Sequence, residues 1–153
     1  MLWQSEPSVV IGKHQSVAAE ADERFLDEKG ITLARRFSGG GAVYHDRGNI
    51  NLSFIETRKQ PDFEYYLQLV VDFLEKVGIT AYADQRLGIY VDEQKISGSA
   101  QCIHKDRVMY HCTLLFSAER YCSARALKKR AQKVLLRFQA RIFRRLRRFR
   151  TAD

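Results

Sequence analysis

Three consecutive glycines, Gly39-Gly40-Gly41, stand between two segments that otherwise read as strands, Ile31 to Phe37 and Ala42 to His45. Without Cβ atoms they oppose both helix and strand, so the chain must turn there and leave its main chain approachable. Arg35 and Arg36 precede the turn, and Ser38 opens it. Glycyl N–H groups can cradle phosphate oxygens, and guanidinium groups beside them add charge-assisted contacts to phosphate or carboxylate. The same residues would also serve as a plain surface turn beside a solvated arginine pair. The loop is no P-loop, because no Gly-Lys-Ser/Thr follows. Its glycine spacing also differs from the dinucleotide fingerprint.

The segments around this loop alternate strand and helix signals. Val9 to Ile11 reads as a short buried strand. Ser16 is a plausible N-cap for a helix over Ala18 to Lys29, which Gly30 would stop. Ala42 to His45 and Ile50 to Ile55, joined by Asp46-Arg47-Gly48-Asn49, read as a hairpin. Pro61 suits the first turn of a helix over Asp62 to Val77. Phe63, Tyr66, Leu67, Val70, Val71 and Leu74 would form its single apolar face. Ile79 to Ala83, Ile89 to Val91 and Met109 to Phe116 read as further strands, with a turn at Asp92-Glu93-Gln94. Trp3 reads as a core residue. Strands in hairpins with interspersed helices predict an α+β domain.

The net charge of +8 over 153 residues divides unevenly. Residues 1 to 119 carry 13 Lys+Arg against 17 Asp+Glu, a balance of −4, whereas residues 120 to 153 carry 13 against one, a balance of +12. A mildly acidic body with a basic tail argues against a nucleic-acid-binding protein. No apolar run approaches the roughly 20 residues of a membrane crossing, and the N-terminus lacks the pattern of a secretory signal. Three cysteines without dense spacing suggest a reducing, cytoplasmic setting. Cys102 and Cys112 are candidate nucleophiles only if a neighbouring base lowers a thiol pKa, and a buried inert thiol is the favoured reading.

A second segment, Lys95-Ile96-Ser97-Gly98-Ser99-Ala100, sets one lysine just beyond a turn among small residues. It could hold a cation against an anionic intermediate, or be a solvated lysine leaving the turn. His45, Asp46, Asn49 and Asn51 could touch a ligand or satisfy turn backbone.

Together, Arg35-Arg36-x-Ser-Gly-Gly-Gly-Ala-Val-Tyr-His-Asp with Gly48-Asn49, the lysine segment, His111-x-Thr-Leu-Leu and the early Leu2-Trp3-Gln4-Ser5-Glu6-Pro7 resemble the lipoate–protein ligase family over about residues 2 to 116. The resemblance implies a biotin/lipoate–protein ligase-like core, related to class II aminoacyl-tRNA synthetases, with a mixed or antiparallel sheet and packed helices. It implies condensation of lipoate with ATP to lipoyl-AMP, usually with Mg²⁺. The acyl group then passes to a lysine of a lipoyl carrier domain, of 2-oxoacid dehydrogenases or the glycine cleavage H protein. Carried over, Lys95 would be catalytic, bridging the lipoyl carbonyl and the phosphate. Arg36 would contact phosphates, and Gly41, Ala42, Val43 and Tyr44 would line the ATP and acyl-adenylate site. Ser38, Gly39, Gly40, His45, Asn49 and His111 would complete the pocket; no metal ligands are assigned. Val43, Tyr44 and Leu114-Leu115 could supply part of an apolar slot for the acyl chain.

This sequence also departs from the family pattern. Leu87-Gly88 stands where an Asn-Asp pair is usual, and Cys112 where a glycine is usual. Residues 1–117 are therefore expected to form a partial catalytic domain. Residues 118–153 are expected to be a basic tail, either out of frame or an amphipathic helix with apolar residues from Leu135 to Phe149. The alternatives carried forward are an octanoyl or lipoyl transferase that needs no ATP, and a catalytically inactive ligand-binding fragment.

Overall fold

The computed structural model describes residues 1–57 and 62–128. Pro61 and the expected helix between Leu135 and Phe149 lie outside the described residues. Among those described, strands β1 (Leu2–Trp3), β5 (Asn49–Thr57), β6 (Tyr82–Ala83), β7 (Ile89–Val91), β8 (Gln94–His104) and β9 (Arg107–Leu115) form one sheet, ordered β1-β5-β9-β8-β7-β6. Every pairing in it is antiparallel. Strands β2 (Ser8–Ile11), β3 (Thr32–Arg35) and β4 (Val43–His45) form a smaller sheet, β3-β2-β4, with one parallel pairing. The architecture is α+β with a mixed, largely antiparallel sheet arrangement, as expected.

Helix α3 (Phe63–Lys76) covers one face of the large sheet. Its i, i+3, i+4 spacing buries Tyr66, Leu67, Val70, Val71 and Leu74 against Ile89, Ile96, Val108 and Tyr110. Each such side chain contributes roughly 1.5–3 kcal/mol on burial. The Asp62 carboxylate caps the helix by accepting from the Tyr65 amide at 3.0 Å.

Two expectations fail here for tertiary reasons. The Ala18 to Lys29 helix is broken into α1 (Val17–Glu20) and α2 (Glu23–Lys29). Ala21 is extended and bridges Leu127, while the Asp22 amide donates to the Ala126 carbonyl. Asp22 then caps α2. Ser16 holds the N-cap position of α1 without a side-chain bond. The hairpin expected from 42–45 and 50–55 does not form either: β4 joins β2 in the small sheet, whereas β5 lies between β1 and β9 in the large one. The Asp46–Asn49 turn is a crossing between sheets. The Asp46 carboxylate accepts from the amides of Gly48 and Glu119, each at 2.7 Å.

A second core gathers Val9, Ile11, Phe25, Leu26, Ile31 and Tyr44 with Ala126 and Leu127. Helix α4 (Arg120–Ala126) belongs to it, and Ala118, Ser123, Ala126 and Leu127 are all buried. The packed unit thus runs past the boundary drawn at residue 117. The remainder of the expected tail, from residue 129, lies outside the described residues.

Candidate active site

Directly opposed residues on paired antiparallel strands share a face of the sheet. The register therefore sorts the large sheet into two faces. One, against α3, carries Leu52, Phe54, Tyr110, Cys112 and Leu114. The other is built from cross-strand rows: Asn51–Thr113–Gly98, then Ser53–His111–Ala100, then Ile55–Met109–Cys102. The first two rows are polar or small, and the glycine loop lies over them. Its buried Ser38 hydroxyl is 2.7 Å from His111 Nε2.

Both arginines bond to loop carbonyls, Arg36 half-buried and Arg35 exposed. Arg36 donates to the carbonyls of Val10, Gly39 (twice) and Gly41 at 2.7 to 3.2 Å. Arg35 Nη1 donates to the carbonyls of Gly12, Lys13 and Gln15. A Cβ on Gly12 would stand 2.1 Å from the Gly40 carbonyl oxygen, so that close approach requires glycine. Gly40 itself has φ +96°, a conformation L side chains rarely adopt. With the carbonyls of Gly39 and Gly41 taken by Arg36, the amides of Gly39, Gly40 and Gly41 donate to no acceptor among the described residues. Burial lowers the pKa of the Arg36 guanidinium, whose charge remains near the loop.

Beneath the loop lies a buried polar chain. The Thr113 hydroxyl donates to Asn51 Oδ1 at 2.7 Å and sits 3.3 Å from His45 Nε2. The buried His45 Nδ1 has no partner among the described residues, and neither do the Nδ2 groups of Asn49 and Asn51. Burial, with the Arg36 and His111 charges adding, pushes the His45 pKa down to about 4. His111 is lowered for the same first reason, with Arg36 second. Both rings are thus biased toward the neutral form. Buried polar groups without a partner are uncommon, and three of them here belong to His45, Asn49 and Asn51.

Lys95 reaches this face through an irregularity. Ile89 pairs with Ser97 but Tyr90 pairs with Lys95, so β8 carries one extra residue, Ile96. Ile96 and Ser97 are both buried, at 2% and 1% exposure. Without that bulge Lys95 would follow Ser97 and Ser99 onto the α3 side. With it, Lys95 shares the side of Tyr90, Gly98 and Ala100. Its Nζ lies 6.0 Å from the Tyr90 ring centroid.

The remaining expected residues divide. Ser38, His45, Asn49 and His111 come together on the open face, joined by Arg36 and Gly39–Gly41 above them. Ala42 and Tyr44 have their side chains in the second core, and Leu114 lies in the first. Burial raises the Tyr44 pKa, with Asp46 adding. Val43 is partly exposed on β4. An apolar lane on the site face would instead draw on Ala100, Met109, Cys102 and Ile55. Cys112 is buried, and its thiol pKa is pushed up to about 12 by that burial, as an inert thiol requires. Two residues gained a place that their sequence context did not predict. Trp3, expected in the core, donates from Nε1 to Ser53 Oγ at 3.1 Å and meets the His45 ring edge-on. Thr113 links His45 to Asn51. Neither carries a local pattern that signals this, because each depends on pairing with β5.

The fold is that of the biotin/lipoate ligase-like catalytic domains. A bi-partite lipoate protein ligase of Thermoplasma acidophilum superimposes with TM-score 0.79 at 29% identity, covering 86% of this chain and 55% of that one. Lipoate-protein ligase A bound with ATP superimposes with TM-score 0.75 at 26% identity, covering 94% and 66%. The family model described as the lipoyl protein ligase A/B catalytic domain matches residues 1–145, and the chain belongs to this family. Lipoate-protein ligase LplJ of Bacillus subtilis is 39% identical over 138 residues, and the human mitochondrial lipoyl amidotransferase LIPT1 is 47% identical over 120. The matches cover 88% and 76% of this chain but only 41% and 32% of those relatives, so the chain spans well under half their length.

Proposed function

We propose that this chain contributes the acyl-activating centre of a lipoate–protein ligase. The lipoate carboxylate attacks the α-phosphorus of ATP, pyrophosphate leaves, and the resulting mixed anhydride is lipoyl-AMP. The deprotonated amine of a carrier-domain lysine then attacks its carbonyl, an amide forms, and AMP departs. The observation that carries this reading is the bulge at Ile96, which turns Lys95 onto the face over which the glycine loop is docked.

The open amides of Gly39–Gly41 would receive the phosphate, held outward because Arg36 occupies the loop's carbonyls. Arg36 thus acts chiefly by shaping the loop, and its charge adds to the field there. Lys95 would oppose negative charge as it grows on the carbonyl oxygen, which favours the transition state over the ground state. Among the described residues no group of three or more His, Cys, Asp or Glu side chains could hold a metal ion. A Mg²⁺ ion accompanying the nucleotide would supply charge neutralisation at the phosphates. A lipoyl carrier domain is the proposed acceptor, in keeping with the bi-partite ligase relative described together with its E2 lipoyl domain.

Incubating the full chain with lipoate, ATP, Mg²⁺ and an acceptor lipoyl domain tests the proposal. Pyrophosphate release and a mass increase of the acceptor are expected. Lys95→Ala should cut the transfer rate about 100- to 1,000-fold. Absence of both products from the wild-type chain would overturn the reading. The human relative's name favours one alternative, transfer from an already acylated donor protein. Acceptor modification that persists without nucleotide would select it.

A further inference from the structure

The turn between β6 and β7 is wound around one carboxylate. Asp84 Oδ1 accepts from the amides of Gly88 at 2.7 Å and Arg86 at 3.0 Å, and Oδ2 accepts from the Tyr90 hydroxyl at 2.9 Å. The Asp84 amide donates back to the Gly88 carbonyl at 2.9 Å. Three donors fix where the negative charge sits.

What faces that charge is Lys95. A Cβ placed on Gly88 would stand 2.9 Å from Lys95 Cε, 3.0 Å from its Nζ and 3.2 Å from Asp84 Oδ1. The ammonium and the carboxylate therefore flank one point, which is open only because residue 88 has no side chain. Tyr90 completes the arrangement from below: its hydroxyl holds Asp84 while its ring lies under Nζ. Tyr82 stacks on Tyr90 at 5.6 Å and limits the ring's movement. A lysine side chain loses considerable rotamer freedom when it is held in one place. The bulge at Ile96 sets only the direction of its first bonds.

We infer that Asp84 is the positioning residue of the site, a fixed carboxylate that holds the Lys95 ammonium on the open face across the gap at Gly88. The inference rests on the reading of Lys95 as the cation of acyl transfer. It assigns to Asp84 no contact with substrate. The Gly88 and Arg86 amides and the Tyr90 hydroxyl keep the Asp84 pKa below its ordinary value, and Lys95 adds to this, so the charge persists wherever the enzyme works.

The test uses the full chain without ligands. Asp84→Asn keeps an acceptor oxygen for the two amides and removes the charge. In ¹³C relaxation of the Lys95 ε-methylene, the wild type should report an ordered group and Asp84→Asn a freely rotating one, with backbone amides of residues 82–91 unmoved. In the acyl-transfer assay the same variant should lose roughly 10- to 100-fold in kcat with the acceptor KM unchanged. Adding Gly88→Asp to Asp84→Asn places a carboxylate beside the same ammonium and should restore both readouts. If Asp84→Asn disturbs the turn, the double variant still decides, since order at Lys95 must return with its new charge. Unchanged relaxation at Lys95 in Asp84→Asn, or no return of order in the double variant, overturns the inference. Lys95→Ala that left transfer intact would instead overturn the reading of Lys95, and the relaxation result would stand apart from it.

Discussion

The two faces of the large sheet are made by the same strands and behave as opposites. The side against α3 is aliphatic and aromatic, with Tyr66, Phe54, Phe63 and Tyr110 in mutual ring contact. The other side carries Asn49, Asn51, Ser53, His111 and Thr113, polar side chains set on the same two strands. Alternation along β5 and β9 therefore assigns the apolar core to one set of positions and the candidate site to the next. The lesson is that a strand of this domain cannot be called structural or functional as a whole.

Three changes would break or sharpen this contrast, taken from the largest effect to the smallest. Leu67→Ala strikes the α3 side alone and should cost about 2–5 kcal/mol in chemical denaturation, while the transfer rate per folded molecule stays unchanged. A matching loss of rate would show that the faces are coupled. Acid strikes the other side. The folded state keeps His45 neutral down to about pH 4, whereas the unfolded chain takes up a proton below the ordinary value of 6.5. The stabilising contribution is thus complete above pH 6.5 and is lost as pH falls toward 4, by up to about 3 kcal/mol. Denaturation midpoints measured across that window should decline in the wild type and flatten in His45→Gln. The smallest effect is on reactivity, without change in stability. Cys102, partly exposed on the open face, should be alkylated in the native protein, and buried Cys112 only on unfolding. Mass mapping of the labelled peptides gives the order.

The sequence resolves this molecule wherever the controlling contact is local. Helix α3 runs Phe63–Lys76 against an expectation of 62–77, because its stripe and the Asp62 cap lie within one segment. Asp92 and Glu93, with φ of 48° and 61°, form the anticipated turn between Val91 and Gln94. The glycine loop was legible from its composition alone. Features set by distant partners were hidden. The break at Ala21 answers to Leu127, the separation of β4 from β5 answers to β2 and β9, and Trp3 answers to Ser53. Likewise, the motif Lys95-Ile96-Ser97 names a lysine, but only its pairing with Ile89 and Tyr90 shows the extra residue that turns it. Arg36 was anticipated as a phosphate contact, and its engagement with loop carbonyls follows from the path of residues 38–41.

The hydroxyl of Ser38 and the ring of His111 are separated by 73 positions, as are the Asp46 carboxylate and the Glu119 amide. During synthesis the glycine turn must therefore wait for the segment around His111 to emerge before its anchor exists. Chains dominated by such remote partnerships close slowly, because the entropy of gathering the intervening length is paid in advance of any reward. The arrangement around Ser38 and His111 would be among the last things to form, so a ribosome-bound intermediate could hold its first helices without it.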